Sequence, residues 1–237
     1  MKYPVDYSVI LPTYNESKNI LRTIRKVIQI LNTLSSRFEI IIVDDNSPDG
    51  TGKKVIKQFQ KDNRIHTIIR TLNPGLSASI LEGVHCAKGR IIIGMDADGN
   101  HDPNIIPQMI DALKKADVVV ASRFIPGGGM ENWLRYIASL CVNVILRVFY
   151  NFPIWDNTSG FYALRRDALF RLEPTDIYVG YGEYHLRLVY KAFQAGMHIV
   201  EVPVFYQNRI HGQSKSRLTT MVATYLRTAD ALSRQFK

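Results

Sequence analysis

Apolar and polar positions alternate along the first half of the chain with two different periods. The runs "YSVILPTYN", "FEIIIVDDNSPDGT", "IHTIIR", "RIIIGMDAD" and "ADVVVASRF" are short, densely apolar and end in polar residues, as strands with exit loops do. Between them, residues 17–34, a stretch ending near Lys61, residues 77–88 and residues 104–115 carry helical spacing. This order predicts an α/β fold, a mostly parallel sheet flanked by helices on both faces, with ligands gathered at the carboxyl ends of the strands. The polar strand ends are Thr13-Tyr14-Asn15-Glu16, Asp44-Asp45, Asp96-Ala97-Asp98 and Ser122-Arg123.

The second half is less regular. "PGGG" at 126–129 reads as a flexible hinge or lid. Residues 132–150 place Leu134, Ile137, Ala138, Cys141, Val144, Ile145, Val148 and Phe149 at helical spacing. The first reading is a core helix; the second is a helix lying in a membrane interface, anchored by Trp133, Tyr136, Arg135 and Arg147. "HIVEVPVFYQNR" reads as strand and "LTTMVATYLRTADAL" as an amphipathic helix.

With 237 residues, 46% of them apolar, the chain can bury a substantial core. No segment has the ~18 unbroken apolar residues of a membrane span, because Arg135, Ser139, Asn143 and Arg147 interrupt the longest candidate. No signal peptide is expected, since Met1 leads directly into a strand-like segment. Cys86 and Cys141 lack metal or redox spacing and are expected to be small buried hydrophobes in a reducing cytoplasm. Of the net charge of +9, residues 204–237 contribute +5, from six Lys or Arg against Asp230. That excess suits an anionic partner such as a phosphorylated substrate or a membrane surface, or a solvated basic helix. Nucleic acid is not expected, because no nucleic-acid fold motif occurs and aromatic residues do not interleave with the basic ones.

Two carboxylates at i and i+2 of a loop leaving a strand, Asp96 and Asp98, can project to one side. Together with a diphosphate they offer a divalent cation its preferred oxygen ligands. Asp98 or Asp102 could instead cap the helix after Pro103, and Asp102 is taken as that cap. In "VDDNSPDGT" the Asp49-Gly50 pair accounts for a turn but not for Asp44 and Asp45, one of which could accept hydrogen bonds from a base or ribose.

The segments "VILPTYNES", "IIIVDDNSPDGT", "GLSAS", "MDADGNHDP" and "SRF" together resemble the nucleotide-sugar half of a family 2 glycosyltransferase with the GT-A fold. "SGFYALRR", "EVPVFY" and "NRIHGQSKS" extend the resemblance toward the polyprenyl-phosphate mannose synthases. It covers about residues 7–217 and implies a single catalytic domain, 1–217. Its nucleotide-sugar half would span about 1–125 and its acceptor half about 126–217, with an amphipathic basic helix at 218–237.

The resemblance implies that Pro12, Tyr14 and Glu16 cradle the base, with Val43 and Asp45 at base and ribose. Asp96, Ala97 and Asp98 match the family's DXD motif, holding Mg²⁺ or Mn²⁺ and diphosphate. Asn100 stands where the family often has Gln, a possible further ligand. Arg123, Arg209 and Lys215 match positions that meet donor and acceptor phosphates, and Asp98 and Arg123 are the expected catalytic pair. Arg135, Ser139 and Asn143 match the helix that meets the lipid phosphate, with Asp156 as the acid before "TSGF".

The implied activity is inverting transfer of a hexose, most simply mannose from GDP-mannose, to a polyprenyl phosphate at the cytoplasmic face of a membrane. The membrane surface or a membrane-spanning subunit is the implied partner. A lipid phosphate is already an anion and needs no base, whereas a hydroxyl acceptor would, and Glu183 is the nearest candidate. Glu183 could equally satisfy nearby backbone or pair with Arg187. A non-catalytic nucleotide-sugar or nucleic-acid binding protein is the rival of another class. Tyr162 replaces the Arg that usually follows "SGF", which would alter sugar or lipid recognition. His185 and His211 are taken as packing or hydrogen-bonding residues, and His101, beside the acid pair, as a candidate for a closer role.

Overall fold

The computed structural model describes residues 3–208 and 218–235. Strand β1 (Val5–Thr13) leads through α1 (Ile20–Leu34) to β2 (Phe38–Asp44), α2 (Thr51–Phe59), β3 (Ile65–Ile69), α3 (Leu76–Cys86) and β4 (Gly89–Gly94). A 3-10 turn at Pro103–Ile105 and helix α4 (Ile106–Ala112) connect to β5 (Val118–Ser122). Then come β6 (Gly129–Met130), α5 (Trp133–Tyr150), β7 (Tyr162–Arg165), α6 (Arg166–Arg171), α7 (Pro174–Ile177) and α8 (Tyr184–Gln194). Strands β8 (Ile199–Pro203) and β9 (Phe205–Tyr206) precede α9 (Leu218–Gln235).

Seven strands form one sheet in the order β3-β2-β1-β4-β7-β5-β8. Only β7 runs antiparallel to its neighbours. Every residue of β2 and β5 is buried, as expected for strands covered on both faces. The alternation of side chains splits the interior in two. Ile10, Ile41, Val43, Ile92 and Val118 face one core with α3, α8 and α9, while Leu11, Ile40, Ile42, Ile93 and Val119 face the other with α1 and α4. Chain order reverses between β1 and β4, so the crevice beyond their carboxyl ends is where this architecture binds ligands.

Strand β7 is absent from the sequence reading because four residues are too few to display a period. Its Tyr162 is fully buried, and a Cβ on Gly94 would lie 2.4 Å from its ring. The Tyr162 hydroxyl shares a 2.8 Å hydrogen bond with that of Tyr178. Tyr162 therefore fills the core beneath β4 and is not positioned to select a sugar or lipid.

The structure corrects three further expectations. "PGGG" is a packed turn rather than a hinge: Gly129–Met130 pairs with Phe205–Tyr206, and a Cβ on Gly128 would meet the Ser122 carbonyl at 2.5 Å. Gly128 and Gly129 provide close approach, and Gly127, at φ +89°, makes the turn. Both cysteines are exposed, since each lies on the outer side of its helix. Helix α5 buries only Val142, Asn143 and Leu146, and Trp133, Leu134, Ile137, Val144, Val148 and Phe149 are exposed, so it is not a core helix. Its 18 residues, at mean hydropathy 1.3, are long and apolar enough to cross a membrane by length and composition. Yet its polar side is fastened to the domain through Asn143.

Candidate active site

At the β1/β4 crevice lies a cleft of about 600 Å³. It collects Pro12, Tyr14 and Glu16 from the β1 exit, Asp45 from β2, and Asp96, Ala97 and Asp98 from β4. Val43 is fully buried in the core beneath and does not line the cleft. The two acids after β2 divide their work. Asp44 accepts from Thr13 Oγ1 at 2.9 Å and from the Ser47 hydroxyl at 2.6 Å and backbone N–H at 2.9 Å, which builds the loop. Asp45 faces the cleft.

Asp45 is held by residues to which the sequence reading gave no role. Arg70 Nη1 donates to its Oδ1 at 2.7 Å, Ser79 Oγ to the same oxygen at 2.8 Å, and the Gly75 N–H to Oδ2 at 2.7 Å. Arg70 Nη2 also reaches the Asn73 carbonyl at 2.8 Å, pinning the loop before α3. Arg70, Gly75 and Ser79 line the cleft with Tyr181. The available signal was position: Arg70 ends the run "IHTII" as the acids end theirs.

In the β4 exit loop, Asp96 is partly exposed and Asp98 is 4% exposed. Asn100 donates to Asp98 twice, from its backbone N–H at 3.0 Å and from Nδ2 at 3.2 Å. It braces the carboxylate from outside the cleft lining. Asp102 caps the 3-10 turn through the Asn104 N–H at 3.1 Å and pairs with Lys26 at 2.6 Å. Among the described residues no group of three or more His, Cys, Asp or Glu side chains could hold a metal. Two carboxylates are nonetheless a donor set that suits Mg²⁺ or Mn²⁺, which retain water and take substrate phosphate oxygens.

Arg123 does not line the cleft. Its Nε and Nη2 fork onto Asp156 at 2.7 and 2.6 Å, Nη2 also reaches Thr158 Oγ1 at 2.9 Å, and both charged side chains are buried. Burial opposes the charge, but the Asp156 carboxylate more than offsets it and raises the guanidinium pKa. From α5, Asn143 Nδ2 donates to Thr158 Oγ1 at 2.9 Å, Asn143 Oδ1 accepts the Asn157 N–H at 2.7 Å, and Ser139 Oγ lies 3.3 Å from Thr158 Oγ1. Arg135, one turn before Ser139, is exposed. Glu183 accepts the Tyr181 N–H at 3.0 Å, and among the described residues it forms no ion pair with Arg187, whose buried Nε has no hydrogen-bond partner there. Arg209, His211 and Lys215 lie outside the described residues.

Two buried histidines make stability depend on pH. Burial lowers both His101 and His185 to about 4. In the unfolded chain they titrate near 6.5, so from there down to about pH 4 the unfolded state binds more protons and stability falls. The loss amounts to roughly 3 kcal/mol per histidine. Thermal melts should show Tm falling across this window, with about half the slope lost in His185→Phe. A flat Tm down to pH 4.5 would contradict it.

Residues 8–172 match the model of the family described as Glycosyl transferase family 2. The chain is 32% identical over 212 residues to an undecaprenyl-phosphate mannosyltransferase of Micrococcus luteus, covering 87% of this chain and 85% of that protein. It is 33% identical over 214 residues to a polyprenol monophosphomannose synthase of Mycolicibacterium smegmatis, covering 87% and 79%. It is 34% identical over 227 residues to a dolichol-phosphate mannosyltransferase of Pyrococcus furiosus, covering 93% of this chain but only 61% of that protein. Among solved structures, Mycobacterium tuberculosis glucosyl-3-phosphoglycerate synthase with Mn²⁺, UDP-glucose and phosphoglyceric acid superposes with a TM-score of 0.69 at 17% identity, over 97% of this chain and 80% of that one. That likeness speaks for the fold, the GT-A arrangement.

Proposed function

The chain belongs to glycosyltransferase family 2, and from that premise we propose that it transfers mannose from GDP-mannose to a polyprenyl phosphate at the cytoplasmic face of a membrane. The observation that carries this reading is the convergence of Tyr14, Asp45, Asp96 and Asp98 on one cleft, with the mostly exposed apolar helix α5 fastened to the same domain. In this reading Tyr14 and Asp45 sit at the nucleoside. Asp96 and Asp98 would hold Mg²⁺ or Mn²⁺, which when bound neutralises charge developing on the diphosphate. The mannose-1-phosphate linkage forms as a lipid phosphate oxygen attacks C1. The C1–O bond to the nucleoside diphosphate breaks on the opposite face and its electron pair leaves with the diphosphate, inverting the configuration. The nucleophile is already an anion, so positioning and charge are what the protein supplies. The engagement of Glu183 with backbone supports a transfer without a carboxylate base.

Helix α5 supports the lipid acceptor. Trp133, Ile137, Val144 and Val148 form one exposed apolar side, and Arg147 lies 4.0 Å over the Trp155 ring at its edge, an arrangement suited to a membrane interface or a membrane-spanning partner. The test is to incubate the full chain with Mg²⁺ or Mn²⁺, a panel of nucleotide sugars and a short polyprenyl phosphate, then look for glycolipid. Mannolipid from GDP-mannose is expected. Product only with glucose or another sugar would replace the donor, and product only with a sugar hydroxyl acceptor would restore Glu183 as base. Binding of donors without turnover on any acceptor would leave a non-catalytic protein.

A further inference from the structure

His101 lines no part of the cleft, yet three parts of the fold meet on its ring. It is 2% exposed, and its Nδ1 accepts the backbone N–H of Asp96 at 2.9 Å. One face stacks on Phe161 at 4.9 Å between centroids and 11° between planes, and Tyr206 packs against the ring at 4.8 Å. The proton therefore sits on Nε2, which lies 3.8 Å from the Asp96 carboxylate and on the side of the Ser159 backbone.

Phe161 and Ser159 belong to the segment that α5 holds through Asn143 and its bond to the Asn157 N–H. The Tyr206 hydroxyl donates to the Ser159 carbonyl at 3.0 Å, tying β9 to the same segment. The ring thus stands between the acceptor side of the fold and the first residue of the acid loop. On the other side of that loop Gly99, at φ +90°, lets the chain turn back so that His101 can reach Asp96.

We infer that His101 is a positioning residue: by accepting the Asp96 N–H while wedged between Phe161 and Tyr206, it holds the Asp96–Asp98 loop in register with the acceptor half. The inference rests on the reading of that loop as a metal and diphosphate clamp. Without the acceptor the part-buried Asp96 N–H loses this hydrogen bond, and the loop is no longer fixed at its first acid. A displacement of an ångström in a positioning group is enough to cost about a hundredfold in rate.

Three variants of the full chain test it. His101→Phe keeps an aromatic ring on Phe161 and removes the acceptor. His101→Asn places an amide oxygen where Nδ1 lies, whereas His101→Gln carries it out to the Nε2 position. GDP and UDP binding, with and without Mn²⁺, is measured by calorimetry beside steady-state transfer. In His101→Phe and His101→Gln, metal-assisted nucleotide binding should weaken about tenfold or more, and metal-free binding should not change. The kcat should fall in both while KM for the lipid phosphate stays at the wild-type value. His101→Asn should recover most of both losses. Wild-type affinity in both His101→Phe and His101→Gln, or equal losses in His101→Gln and His101→Asn, would overturn the role of the acceptor nitrogen. Wild-type protein whose nucleotide binding ignores Mn²⁺ would overturn the clamp reading itself and this inference with it.

Discussion

Asp98→Asn is expected to lower sugar transfer at saturating Mn²⁺ by about 10²–10³, with little change in Tm. The substitution keeps the shape of the side chain and an oxygen for the Asn100 N–H, which now lies 3.0 Å away. It removes one negative charge at a position only 4% exposed, where water screens little and a cation meets the leaving diphosphate. Asp102→Asn is the matching control. Asp102 caps a turn and pairs with a half-exposed Lys26, so its loss should cost about 1 kcal/mol of stability or less and leave transfer nearly intact. Initial rates with purified variants, beside thermal melts, separate the two. Asp98→Asn turning over within about threefold of wild type would remove the clamp from the mechanism, because a lost electrostatic contact of this kind is worth far more.

That Asp102 caps a turn while Asp96 and Asp98 face the cleft was readable from the chain because it rests on local chemistry. Asp102 precedes Pro103 at a helix start, and Asp96 and Asp98 follow an apolar run. Strands β1, β2, β4 and β5 were legible for a related reason: burial on both faces demands unbroken runs such as Ile40–Val43 and Val118–Ala121. What escaped were pairings over distance. Nothing near Arg70 announces that its Nη1 closes on Asp45, 25 residues earlier. Nothing near Val43 shows that its side of β2 faces α3, where a Cβ on Gly83 would come within 3.3 Å of it. The exposed side of α5 was undecided because apolar residues flank most of its circumference. The bonds of Asn143 to Asn157 and Thr158, with Val142 and Leu146 packed in the core, fix which side faces inward.

Arg123 is the sharpest case, because the family resemblance implied a phosphate ligand and its surroundings describe an internal ion pair. Arg123→Ala should destabilise the protein by about 3–5 kcal/mol, since it strands the Asp156 carboxylate in the interior. In a chain of this size that corresponds to a fall in Tm of roughly 10 °C. Asp156→Ala should do comparable damage from the other side. The double variant Arg123→Met with Asp156→Leu should recover much of the loss, because removing both charges leaves neither to be buried alone. A surface phosphate ligand behaves differently: its truncation weakens donor binding and leaves the melt untouched. Calorimetric melts of the two single variants and the double, beside donor affinity, therefore decide what Arg123 does. If Arg123→Ala melts with the wild type but loses nucleotide-sugar binding, the guanidinium must leave Asp156 during the reaction. The segment from Asp156 to Phe161, and the His101 ring stacked on it, would then move with donor binding rather than hold still beneath it.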